Sequence, residues 1–490
     1  MFVQVAIFVV LLFLTRWLYK WMKSKKCTAP GPPGLPLFGN IFQLNAQFSF
    51  TQLEQWKEEY GDVYKLNLLL SEVVVINGET IYEALVIKGN DFGGRPKTGR
   101  LELINQYEDI VTRPADEKWK DLRKIAHAGL KQYGVGVSRI EEITMDEIMI
   151  CIGRFDRTDA FDPFEDIYLT VANIALAMLT GETLEKTDPW LQRVMRSDKL
   201  TCKAYSTKTA YLDVLPWLRH IPHANGKLFN EAISENTGCI DNIIEKTKST
   251  LDEKNIRGVF DLILMEQQTR KNSQNALSHN AVRGLFQNLI FAAMTTTSTA
   301  LKAMTALLID HPDIQQKLYD EIDRVIGDRP PELQDRYKMH YMEAFILESL
   351  RHTSFLPIAI PHETMNDVTL NGYFIPKGTQ VWPNLFGLHH DERYYPEPWA
   401  FKPERFLDNN GEVIPVDQRK LLLPFGGGRR VCVGEQFARI RIFLFLSTVL
   451  QHYEILPEKP DCPPLFDPRK CVLGSVLKME DYKLRMQKRK

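Results

Sequence analysis

Several familiar signals are scarce in this 490-residue chain, and each absence removes a class of protein. No surplus of basic residues exists, since Lys+Arg 61 against Asp+Glu 62 leaves a formal charge of -1, so neutralising the phosphates of a nucleic acid is not a task this chain is built for. The 7 cysteines are odd in number, scattered and without a CxxC, which argues against both a disulfide framework and a zinc site and fits a reducing, cytosol-facing compartment. No Gly/Ser-rich linker, low-complexity tract or internal repeat divides the chain after its first 40 residues. The expectation is one large body, and with 44% hydrophobic and 10% aromatic residues it can bury a large core.

Long uncharged runs are also rare, and the first is at the start. Phe2 to Thr15 carries no charge and is short for a membrane span, but Trp17, Leu18 and Tyr19 extend its apolar character if Arg16 snorkels. Lys20, Lys23, Lys25 and Lys26 follow it. A cleaved signal peptide carries its charge before the apolar run and small residues after it, the reverse of this order. Residues 1–26 are therefore expected to be a membrane anchor with a basic stop, residues 27–40 a Pro-rich spacer, and residues 41–490 a body on the cytosolic side. The spacer's Leu35, Leu37 and Phe38 suggest that it packs on something.

The second uncharged run, Gly284 to Leu301, lies in a helical stretch from about Asn280 to Asp310 closed by Pro312. Gln287, Asn288 and the cluster Thr295 to Thr299 suit lipid poorly, so a buried central helix is expected. Elsewhere Val63 to Leu70 and Glu72 to Ile76 read as strands, Asn371-Gly372 as a hairpin turn, and most of the remainder as helix. The fold class is mainly α with a small β region.

One cysteine stands in a distinctive setting, FGGGRRVCVG from Phe425 to Gly434. The residues after Cys432 read as an amphipathic helix whose N-terminus would stabilise a thiolate, while the glycines allow backbone conformations closed to other residues. Arg430 is suited to pairing with a carboxylate. Phe425, Gly428, Arg430, Cys432 and Gly434 meet in full the FxxGxRxCxG signature, and in this the sequence resembles the cytochromes P-450. Other motifs occur in that family's order: Trp119 and Arg123 as WxxxR, Glu348 and Arg351 as ExxR, and Arg405 in Pro403-Glu-Arg-Phe406.

The resemblance implies a haem b held between the central helix and the helix after the cysteine, with Cys432 as axial ligand of the iron. Trp119, Arg123, His362 and Arg430 would then serve the haem propionates, and Glu348, Arg351 and Arg405 would form a structural network. It further implies insertion of one atom of O2 into a lipophilic substrate such as a steroid, fatty acid or xenobiotic. Electrons would come from NADPH through a flavoprotein reductase, possibly with a cytochrome b-type donor, at the endoplasmic reticulum membrane. Arg123, Lys124, Arg429 and Arg439 are candidates for the reductase face, and stretches around Glu102 to Ile110, Phe286 to Ala293 and Phe355 to Ile360 for the substrate pocket.

One departure stands out. Where the family's central helix carries a small pair followed by an acid and an alcohol, this chain has Ala292-Ala-Met-Thr-Thr-Thr297. Thr296 matches the catalytic alcohol, but the acid is Thr295, whose hydroxyl holds its proton too tightly to supply a relay by ionising. Water or another side chain must take its place, and Thr295→Asp would return an acid to the helix if the pocket is wet. The same departure keeps open a haem-thiolate isomerase, dehydratase or peroxide-driven enzyme, or a non-catalytic haem protein.

Overall fold

The computed structural model describes residues 26–36, 38–44, 49–69, 71–97, 100, 108–133, 138–213, 215–461 and 465–489. Among them no helix is long and apolar enough to cross a membrane; the expected anchor falls outside these residues, as do Cys462 and most of the Glu102 to Ile110 stretch.

A 32-residue helix, His279–Asp310, forms the axis of the molecule, and at about 1.5 Å per residue it crosses the whole body. Its start is fixed by the Ser278 side chain, which accepts the Ala281 N–H, and its end by Pro312, the first residue of the next helix, Pro312–Val325. The uncharged run is enclosed by protein: Phe286 stacks on Phe260 at 3.7 Å, and the helix Phe164–Thr180, buried along nearly all its length, packs beside it. Phe286 and Ile290 consequently belong to the core and do not line an open pocket. The C-terminal segment is clasped to the same helix, with Asp481 accepting from Lys302 at 2.5 Å and Tyr482 donating to the Lys302 carbonyl at 2.7 Å.

The small β region centres on one four-stranded sheet. Strands β1 (Val63–Leu68) and β2 (Ser71–Ile76) pair antiparallel from Val63↔Ile76 to Leu68↔Ser71, and the turn between them includes Leu69 with φ 54. The sheet also takes in β3 (His362–Glu363) and β6 (Gln380–Pro383), in the order β1-β2-β6-β3. Between these two, β4 (Val368–Leu370) and β5 (Tyr373–Ile375) form the hairpin expected at Asn371-Gly372. Both turn residues have positive φ, 48 and 81, the mirror-image turn whose twist suits a hairpin. The Pro-rich segment is tied to this sheet by hydrogen bonds, the Lys65 N–H donating to the Pro30 carbonyl and Asn40 and Asn67 exchanging two, but Leu35 and Phe38, whose apolar side chains suggested the packing, stay exposed.

Candidate haem-thiolate site

The cysteine loop is held by its own backbone and by a neighbour. The Cys432 N–H donates to the Phe425 carbonyl at 3.0 Å, closing the loop, and Gly426 and Gly428 occupy positive φ of 73 and 59. At Gly428 a Cβ would lie 1.9 Å from the Leu85 carbonyl oxygen, so only glycine lets the loop settle against the turn Glu83–Ile87. Gly427, with φ -148, needs no such freedom. Among the described cysteines Cys432 alone is exposed; Cys27, Cys151, Cys202, Cys239 and Cys471 are buried.

The helix that follows, Glu435–His452, differs from the sequence expectation. It is not amphipathic, because every residue from Arg441 to Leu450 is buried. Its N-terminus favours a thiolate through the Gly434 N–H, but not enough to ionise the sulfur by itself. Protein crowds the Cys432 sulfur enough that desolvation raises its pKa, with Glu435 adding repulsion, and this outweighs the Gly434 N–H, Arg123 and Arg441. The sulfur is thus reached by solvent on one side and enclosed on the others, and a bound cation is what would ionise it.

Arg441 joins the cysteine helix to the central helix, donating to the Ala293 carbonyl at 3.2 Å and to the Thr297 hydroxyl at 2.9 Å. Within the central helix, Thr296 bonds back to the Ala292 carbonyl at 2.6 Å and Ser298 to that of Met294 at 2.8 Å. Thr295 does not. Its hydroxyl donates at 2.5 Å to the carboxylate of Asp198, from the helix Pro189–Ala204.

A second group of side chains lies beside the loop. Arg430 donates to the carbonyls of Gly93, Ile110 and Arg113, and its guanidinium lies 4.3 Å from the centre of the Trp119 ring. Arg123 donates to the Val431 carbonyl, and Arg95 to those of Val111, Ile360 and Pro361. Burial and the repulsion of Arg95 and Arg123 pull Arg430 down to about 8, and burial pulls Arg95 to about 9. Asp109 is the carboxylate that opposes these charges. His362 is not an exposed loop residue: it sits on β3, 4% exposed, with Nδ1 against the Phe92 carbonyl at 2.7 Å. A carbonyl only accepts, so Nδ1 carries the proton, and burial next to Arg95 holds the ring neutral.

The Glu348–Arg351 pair is buried, each side chain being 0% exposed, and the guanidinium meets the carboxylate through two hydrogen bonds of 2.7 and 2.8 Å. Arg405 approaches Glu348 at 3.4 Å and also holds the Pro396, Glu397 and Ala400 carbonyls. From Arg351 the network continues to the cysteine loop. Arg351 donates to the His389 carbonyl at 2.6 Å, and the His389 ring accepts the N–H of Leu423, two residues before Phe425.

With this arrangement in place, comparison with known proteins is decisive, because the cytochrome P-450 family model matches residues 29–486. The chain belongs to the cytochrome P-450 family. It is similar to cytochrome P-450 1A1 of Limanda limanda, 34% identical over 457 residues covering 89% of this chain and 87% of that one. Cytochrome P-450 1A1 of Rattus norvegicus is 34% identical over 476 residues, covering 92% and 88%, and cytochrome P-450 1A5 of Gallus gallus is 33% identical over 486 residues, covering 95% and 91%. As a P-450 the protein is a monooxygenase that works with haem iron and O2.

The residues present fit that group. Buried guanidinium groups facing one carboxylate are an unbalanced charge that two propionates would complete. His362 would add a donor there only after protonation at Nε2, which a propionate would favour. Of the four residues suggested for the reductase face, Arg439 is excluded: it is 9% exposed and tied to Glu435 at 3.0 Å. Lys124 is exposed, Arg429 bonds Asn90, and Arg123 points to the loop. Arg95, Asp198, His389 and Arg441 have no motif to mark them in the sequence.

Proposed function

We propose that this P-450 inserts one oxygen atom of O2 into a lipophilic substrate, a steroid, fatty acid or xenobiotic, with electrons that originate in NADPH and arrive through a flavoprotein reductase. The observation that carries this reading is the charge-rich pocket of Arg95, Arg123, Arg430 and Trp119 beside the accessible Cys432. Haem iron held there by the Cys432 thiolate would supply the oxygen chemistry, the thiolate's electron density favouring O–O cleavage. Arg123, Arg430 and Trp119 orient the propionate edge, while Glu348, Arg351 and Arg405 keep the loop in register through His389. One oxygen atom leaves as water, so each turnover consumes two electrons and two protons beyond substrate and O2. Thr296 is the alcohol that would hold and pass a proton at its Oγ1, which now donates to the Ala292 carbonyl.

We assign the protein to the endoplasmic reticulum membrane, with residues 1–26 as anchor and the body in the cytosol. Two further segments support membrane association by exposing large apolar side chains: Leu35, Phe38 and Phe42 near the start, and Trp217 and Ile221 in and after the turn Pro216–His220.

The test is turnover of the full chain in vesicles with reductase, NADPH and O2, using steroids, fatty acids and planar aromatics that shift the haem spectrum. Hydroxylated product with one oxygen atom from labelled O2 is expected. Rearranged product without NADPH consumption would make the isomerase or dehydratase reading correct.

A further inference from the structure

The acid missing from the central helix has a counterpart on another helix. Asp198 is 3% exposed, and two hydroxyls converge on one of its oxygens: Thr295 at 2.5 Å and Tyr168 from the adjacent helix Phe164–Thr180. Cys202, one turn further along the Asp198 helix, places its sulfur 3.4 Å from the same Thr295 hydroxyl. We propose that Asp198 is the proton-supplying carboxyl of this P-450, acting through Thr295 to resupply Thr296. The proposal rests on the monooxygenase reading above.

Geometry and chemistry agree on this role. Thr295 is half-buried and follows Met294 in the stretch where the family places its acid, and Thr296 is the next residue. Thr295 donates to the Asp198 carboxylate, and once Asp198 is protonated the bond reverses, the carboxyl donating to the Thr295 oxygen while the hydroxyl turns its own proton to a water. Burial raises the pKa of Asp198, against the hydrogen bonds of Thr295 and Tyr168 and the more distant charges of Lys478 and Lys199. A carboxyl held towards its protonated form is a better proton donor than an ordinary surface aspartate. The balance is simple: one proton leaves the carboxyl through Thr295, and one from bulk solvent restores it. Asp198 touches neither substrate nor O2, so it is a positioning and supply residue. With a carboxyl already at the Thr295 side chain, the absence of an acid at residue 295 ceases to argue for an isomerase.

The test uses the full-length holoenzyme with Asp198→Asn, Asp198→Glu and Thr295→Val. In infrared difference spectra of the CO complex, wild type should show a protonated-carboxyl C=O band that shifts in Thr295→Val and vanishes in Asp198→Asn. In turnover with reductase and a lipid or aromatic that shifts the haem spectrum, Asp198→Asn should retain haem. Product formed per NADPH should fall by roughly tenfold as electrons divert into hydrogen peroxide, with partial recovery in Asp198→Glu. If Asp198→Asn does not load haem, Thr295→Val decides by the same readings, since it severs the link and leaves the Tyr168 contact. Unchanged coupling in the variant that loads haem, or no band assignable to Asp198, overturns the proposal. Failure of wild type to oxygenate anything refutes the monooxygenase reading instead, and the infrared band still decides the protonation of Asp198.

Discussion

Removing Arg351 should unfold the region around the cysteine loop without touching the loop itself. Glu348 is 0% exposed and accepts from Arg351 twice, from the Lys402 N–H at 2.9 Å and from Arg405 at 3.4 Å. Arg351→Met removes both bonds to the carboxylate and the 2.6 Å bond to the His389 carbonyl, leaving a buried carboxylate whose remaining cation, Arg405, reaches it only through a long hydrogen bond of 3.4 Å. Breaking a buried pair in this way costs roughly 3–5 kcal/mol. The lost carbonyl partner adds about 1–3 kcal/mol. A loss near the sum of these would consume much of the roughly 5–15 kcal/mol that holds an ordinary domain folded. Guanidinium unfolding of the holoprotein, followed by both haem absorbance and far-UV circular dichroism, measures it. Haem should be released at lower denaturant than wild type requires, since His389 links Arg351 to Leu423. The double variant Glu348→Gln/Arg351→Met should lose less than the two single changes added together, because no orphaned charge remains. A cost for Arg351→Met below about 1 kcal/mol, the range of exposed pairs, would refute the reasoning.

Further outcomes follow from the same contacts. Gly428→Ala places a Cβ 1.9 Å from the Leu85 carbonyl at φ 59, so haem content of the purified protein should drop sharply while helix content is largely kept. Arg430→Gln and Arg95→Gln should each weaken haem retention by about tenfold or more, read from the rate of haem transfer to a haem-free acceptor protein, and Lys124→Gln should not. Thr295→Asp would set a second carboxyl beside Asp198, forcing one of the two to stay protonated; coupling should fall, and a gain in product per NADPH would contradict the Asp198 contact. Burial pushes Asp391 up, but the hydrogen bonds of Arg393 and Lys57 prevail and hold it at about 2, well below the usual carboxylate range. Its folded pKa being depressed, its contribution is full above the unfolded value and lost as pH falls towards 2; Asp391→Asn should therefore cost stability at pH 6 to 7 and nothing near pH 2, by pH-dependent urea unfolding.

The sequence was most legible where a structure is decided by neighbours in the chain. Asn371-Gly372 makes its turn from its own backbone preferences, and the central helix begins within one residue of its expected start because Ser278 is a local cap. In the cysteine loop the positive φ of Gly426 and Gly428 was legible from glycine's conformational freedom, whereas the close approach of Gly428 to Leu85 was not. What escaped was non-local. Asp198 meets Thr295 across 97 residues, and Arg441 meets Ala293 across 148, contacts that no spacing rule encodes. The helix after the cysteine was expected to be amphipathic, but its arginines Arg439 and Arg441 are buried and bonded by partners elsewhere in the fold or a turn away. His362 was expected at the propionate region through the family resemblance, yet its neutrality and its bond to Phe92 became visible only once β3 was in position beside Arg95.

The central claim, that Cys432 is the iron's thiolate ligand, is tested most directly by the absorption spectrum of the reduced, carbon monoxide-bound protein. Wild type and Cys471→Ala should both show the strongly red-shifted Soret band of thiolate ligation, and Cys432→Ala should lack it. A red-shifted band surviving in Cys432→Ala, or its absence from haem-loaded wild type, would contradict the account.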